Sequence, residues 1–153
     1  MRVFIYLHIL VMFGAVAMSF GVQLVSMVAA RSGSLATLRG ALGAVRPIAR
    51  FIGPAFGLGI LLGIVAIFTN DYDPLKPWLI IAYVLTVAAL VWANVWTAPR
   101  MGALGAAAMQ SPEGAPFSSD LQAAISRNFG LVAFVDTLLI AALIADMVLK
   151  PFS

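Results

Sequence analysis

Four apolar segments, each long enough to cross a bilayer as a helix, leave this chain little room for anything else. They cover residues 3–30, 48–69, 78–98 and 127–149. A hydrocarbon core takes roughly 20 apolar residues per helical span, and every segment reaches that length. A soluble fold would gather its apolar residues in stripes of period 3.6 or 2. Here the runs are apolar all round, which marks helices surrounded by lipid or by other helices. Of 153 residues, 63% are hydrophobic and 10% charged, so spans and connectors use the whole chain. The expected fold is all-α: a polytopic membrane protein with one transmembrane domain over residues 1–153, an up-down-up-down bundle of four transmembrane helices.

The first segment far exceeds the 7–15 apolar residues of a signal-peptide core, so it is expected to be a retained span. Orientation follows from the arginines. The first connector carries Arg31, Arg39, Arg46 and Arg50, and the third carries Arg100 and Arg127. The second, residues 70–77, carries Asp71, Asp73 and only Lys76. The positive-inside rule places the first and third connectors in the cytoplasm. The chain is therefore expected in the cell inner membrane, multi-pass, N-out and C-out. Tyr6, Tyr72 and Trp78 then fall at the outer boundary, and Trp92 and Trp96 near the inner one, where aromatic belts lie. The net charge of +3 is placed by topology and carries no implication of nucleic-acid binding.

The connectors hold structure of their own. Ser119-Asp120-Leu121-Gln122 reads as a capping box, with Ser119 at N-cap and Gln122 at N3. The fourth helix then starts near Ser119 and projects about ten residues into the cytoplasm. Ser111-Pro112-Glu113-Gly114-Ala115-Pro116 before it is a loop, because prolines and glycine break a helix there. Residues 34–46 read as an interfacial helix, with Leu35, Leu38, Leu42 and Val45 at helical spacing and Arg39 and Arg46 snorkelling to the headgroups.

Glycines mark close helix crossings. Gly53 with Gly57 and Gly59 with Gly63 are GxxxG spacings in the second span, and Gly14, Ala17 and Gly21 lie along the first. Lipid supplies no hydrophobic drive between helices, so small residues that allow backbone approach matter more there. They serve either packing within the bundle or an interface with a second chain. Pro54 is expected to kink the second span.

Ionisable and polar groups inside a span are costly and mark structural pins or functional sites. Asp136, Asn94, Gln23 and Ser19 fall in the inner half of the bundle by helical rise, where they are expected to form one cluster. Thr137 and Asn128 are further candidates. Asp136 is either a protonatable carboxylate on an ion path or a hydrogen-bonded pin between helices. Nearer the outer surface, His8 and Asp146 fall at similar depth and are expected to pair. Met12 follows His8 by four residues, on the same helix face, and a His/Met pair suits a soft ion such as Cu(I).

Other chemistry is missing. With no cysteine and one histidine, disulfides, thiolate metal sites and bis-His haem ligation within one chain are excluded. No HExxH, GxSxG or P-loop occurs, so no catalytic residues and no enzyme are read. Tyr6-Leu7-His8-Ile9-Leu10 followed by Gly14 and Gly21, with Arg127-Asn128-Phe129-Gly130 before the last span, resembles small bacterial four-helix membrane families. Those are similar to the membrane domain of copper-resistance protein D. The resemblance implies a bacterial inner-membrane four-helix bundle, and in the copper proteins it implies periplasm-side ligands, to which His8 corresponds. Three functions follow as expectations. The first is a non-catalytic integral membrane subunit or accessory protein, embedded in the lipid bilayer with a homo-oligomeric or membrane-protein partner and no cofactor. The second is a small oligomeric transporter or channel using Asp136, and the third a haem- or metal-binding membrane protein using His8, with haem or copper as the candidate cofactor.

Overall fold

A computed structural model describes residues 2–112 and 114–150 of the chain. These form four helical rods, each long and apolar enough to cross a membrane. α1 is Val3–Arg31 and α2 is Leu35–Thr69. The third rod joins α3 (Pro77–Val91), a π-helical turn (Trp92–Thr97) and α4 (Ala98–Gln110). The last is α5, Ser119–Leu149.

Local chemistry sets the boundaries. Gly33, at φ +70°, turns the chain sharply after α1, and that left-handed conformation suits a residue without a Cβ. The Ser34 hydroxyl then accepts the Thr37 N–H at 3.2 Å and caps α2. Pro77 opens α3, where its missing N–H costs nothing. The cap of α5 is Ser118, whose hydroxyl accepts the Leu121 N–H at 3.2 Å. This is one residue before the expected Ser119, and Gln122 does not close a capping box.

One expectation about α2 is corrected. Residues 34–46 are not a separate interfacial helix: α2 runs unbroken through Pro47 and Pro54. Each proline removes one backbone bond, but Leu35, Leu38 and Val45 on the first turns are buried, and that packing carries the helix past Pro47.

The rods are longer than a bilayer is thick. α2, with 35 residues, spans about 52 Å at 1.5 Å per residue, against a hydrocarbon core of about 30 Å. Counted from Thr69, Arg50 and Arg46 lie about 28 and 34 Å along α2. Arg100 lies about 33 Å from Trp78 on the third rod, and Arg127 about 33 Å from Leu149 on α5. The four arginines therefore share one level. Beyond it the helix ends form a cap: Ala29, Ala30, Leu35, Leu38, Ala108 and Ile125 make one buried core, covered by Leu42, Leu104, Phe117, Leu121 and Phe129. Two long side chains tie the cap. Arg39 donates from Nε to the Ala108 carbonyl at 2.9 Å and also reaches the Ser111 carbonyl, meeting groups left open where α4 ends. Gln122 donates to the Ala30 carbonyl at 3.3 Å and does the same for α1.

Between the arginine level and the opposite end, the buried residues include the small Ala15, Gly59, Ala66 and Ala82 together with Val132 and Asp146. α1 and α2 form the most extensive contact, and α5 packs on both α1 and α3. Large apolar residues point outward along this section, including Phe13, Phe68, Phe134 and Val148. At the far end Ile67, Trp78 and Leu79 make a second, smaller core beside Tyr72.

Candidate functional site: the Asp136 junction

Asp136 lies on α5 about 20 Å from Leu149, on the Leu149 side of the arginine level. One carboxylate oxygen accepts the Gln23 amide N–H from α1 at 2.5 Å. The other accepts the Trp92 indole N–H, from the start of the π turn, at 3.1 Å. One side chain thus joins three of the four rods. In hydrocarbon an unmet carboxylate is heavily penalised, so taking up both oxygens turns a liability into a crosslink.

A second set of contacts leads away from it. The Trp92 and Trp96 rings stack with centroids 4.4 Å apart and planes 12° from parallel. The Arg100 guanidinium sits 4.2 Å over the Trp96 ring, a cation–π contact. The line from Gln23 through Asp136, Trp92 and Trp96 to Arg100 runs from between the helices to the arginine level. The π turn lies along this line, and such turns recur at functional sites. Gln23 Oε1 and Thr97 Oγ1 are buried with no hydrogen-bond partner among the described residues.

Of the expected cluster, the structure brings Gln23 and Asp136 together and leaves the others aside. Asn94 is exposed and donates to the Leu90 carbonyl at 2.8 Å. Two residues beyond Trp92, it faces the opposite side of the helix. Ser19 is half-buried one turn from Gln23, and no hydrogen bond joins it to Asp136 among the described residues. Thr137 and Asn128 bond back to Ala133 and Ala124 at 2.6 and 2.7 Å. Trp92 takes the place assigned to Asn94. As a tryptophan near the inner boundary it reads from sequence as an interfacial anchor, and only the arrangement of helices gives it a carboxylate to bond.

His8 and Asp146 share a depth but do not pair. The His8 face of α1 is turned to α2, where Nδ1 donates to the Gly59 carbonyl at 2.7 Å. A Cβ on Gly63 would stand 3.0 Å from the His8 ring, and one on Gly59 would overlap Met12 Sδ. His8 and Met12 therefore seat in the Gly59/Gly63 notch, and the expected soft-metal pair is a helix-packing pair. Asp146 is buried on α5 with both carboxylate oxygens unpartnered among the described residues. One turn on, the Lys150 ammonium lies over the Tyr72 and Trp78 rings at 5.6 and 5.3 Å. No group of three or more metal-ligating side chains gathers among the described residues.

The other glycines behave differently. A Cβ added to Gly53, Gly57, Gly14 or Gly21 would meet nothing within 4 Å. These positions, expected to mark close crossings, are open within a single chain. No protein-family model, characterised protein or solved structure matches this chain.

Proposed function

We propose that this protein is a non-catalytic integral membrane subunit of a larger complex, acting through helix–helix contacts. It sits in a bacterial inner membrane with both termini on the outer face. The observation that carries this reading is the open small-residue edge of α1. Ala17 and Gly21 border a groove of about 390 Å³ whose walls include Met18, Val22, Val25, Val45 and Ile48, and an added Cβ on Gly14, further along α1, would also meet nothing within 4 Å. Such an edge admits close approach of a partner helix, while the Asp136 junction is already occupied by the chain itself. The test is purification at native level in mild detergent, for the wild type and for Gly21→Leu. A partner at fixed stoichiometry, lost in Gly21→Leu with the melting midpoint unchanged, is the expected result. A wild-type chain that elutes alone contradicts it.

A second reading, a small oligomeric transporter using Asp136, is favoured by one observation: the π turn beside the carboxylate and the unpartnered Gln23 Oε1 and Thr97 Oγ1. It predicts proton-coupled flux in proteoliposomes that Asp136→Asn abolishes. Equal flux in that variant sinks it.

A further inference from the structure

The face of α2 turned away from α1 carries an exposed arginine pair and an open glycine pair beyond Arg39. Arg39, Arg46, Arg50, Gly53 and Gly57 follow one another at spacings of 7, 4, 3 and 4 residues, which holds all five within about 60° on one side of the helix. Arg39, at the cap end, shows where that side points: toward α4, whose last carbonyls it bonds. Further along, Arg46 and Arg50 are exposed, with the Arg50 guanidinium 4.8 Å from the ring of its neighbour Phe51. Gly53 and Gly57 are exposed too, with nothing within 4 Å of an added Cβ. α2 and the third rod are joined at both ends of this stretch. At one end Ile67 meets Trp78 and Leu79, and at the other Arg39 clasps α4. In between, α2 presents glycines with open space over them.

The order of these residues along the membrane normal is that of a phospholipid. Arg46 and Arg50 stand at the headgroup level, about 28–34 Å from Thr69. Gly53 and Gly57 follow about 4 and 10 Å deeper in the hydrocarbon. Guanidinium pairs bond phosphate oxygens through two N–H groups at once. At each of these glycines nothing stands within 4 Å of an added Cβ, which leaves room for an acyl chain against the helix. The nearest carboxylates do not compete for the arginines: Asp136 is bonded to Gln23 and Trp92, and Asp120 lies about 10 Å beyond Arg127 in the cap. We propose that this face holds one anionic phospholipid of the arginine-side leaflet, its phosphate on Arg46 and Arg50 and one acyl chain along Gly53 and Gly57. Charge complementarity selects an anionic headgroup, since the zwitterionic choline headgroup sets its own cation against the two arginines.

The experiment is native mass spectrometry of the purified full chain in detergent, titrated with dioleoylphosphatidylglycerol or dioleoylphosphatidylcholine. Melting midpoints are followed alongside. One phosphatidylglycerol per chain is expected to survive ionisation and raise the midpoint, with phosphatidylcholine at least tenfold weaker. The double variant Arg46→Gln/Arg50→Gln should lose this preference, and Arg127→Gln, at the same level on α5, should keep it. Gly53→Leu/Gly57→Leu should weaken phosphatidylglycerol binding while the ligand-free midpoint stays put. Equal binding of the two lipids, or unchanged binding in the α2 double variant, overturns the proposal. So does a loss in Arg127→Gln as large as in that double variant, which would signify diffuse charge attraction. Full binding in the Gly53→Leu/Gly57→Leu chain removes the acyl-chain seat and overturns it as well.

Discussion

The two ends of α2 obey different rules. On the cap side of the arginine level, Leu35 and Leu38 are buried against α1, α4 and α5, and the loose ends of α1 and α4 are bonded by Gln122 and Arg39. On the other side, α2 buries Gly59, Ala66 and Ile67 and turns Leu58, Leu61, Ile64 and Phe68 outward. The cap buries Leu35, Leu38 and Ile125 beside three alanines and satisfies its helix ends, a pattern that suits water. The span turns large apolar side chains outward, a pattern that suits lipid, which accepts them at no cost and rewards close backbone approach. The same helix carries both patterns because it is about 20 Å longer than the hydrocarbon is thick.

The contrast breaks most readily in the cap. Leu38→Ala removes a fully buried side chain and is expected to cost about 2–5 kcal/mol. Phe13→Ala, 73% exposed in the span, should cost under about 0.5 kcal/mol. Reversible unfolding in mixed micelles measures both, and equal losses would erase the distinction. Next come the glycines. Gly63→Leu drives a side chain into the His8 ring and should cost about 1–3 kcal/mol by overpacking. Gly57→Leu, with open space above it, should leave the isolated chain unchanged.

A comparable loss of about 1–3 kcal/mol is expected for Asp136→Ala, which strands the Gln23 and Trp92 donors. A double-mutant cycle with Gln23→Leu should show the two changes to be non-additive; additive losses would mean the 2.5 Å bond is not formed in the membrane. The smallest effect is Arg39→Ala, about 1 kcal/mol for the lost carbonyl bonds. It should appear in the cap first, as faster amide exchange at Ser111 and Ala108.

Much of this plan was visible in the residues. Hydropathy alone marks four spans, because a lipid-facing helix needs no stripe. The Leu35, Leu38, Leu42, Val45 spacing marks a packed face, though Arg39 and Arg46 beside it suggest an interfacial helix separate from the span. Depth was also readable, since rise per residue is fixed: Gln23 with Asp136 and His8 with Asp146 were each matched that way. What depth cannot supply is the face. His8 and Met12 point to α2 and not to α5, so the first match became a bond and the second did not. Trp92 and Arg39 were invisible as bonding groups for the same reason. Their partners, a carboxylate on another helix and the last carbonyls of α4, exist only once the helices are placed.

The absence of cysteine from the chain makes one measurement decisive for the division at the arginine level. Single cysteines at Ala36 and Ala123 in the cap, Val87 in the span and Asp73 in the opposite connector would be exposed to a membrane-impermeant maleimide in spheroplasts and in inverted vesicles. Asp73→Cys should label only in spheroplasts, Ala36→Cys and Ala123→Cys only in inverted vesicles, and Val87→Cys in neither. Labelling of Ala36→Cys in spheroplasts would reverse the orientation, and labelling of Val87→Cys from either side would contradict a lipid-facing span.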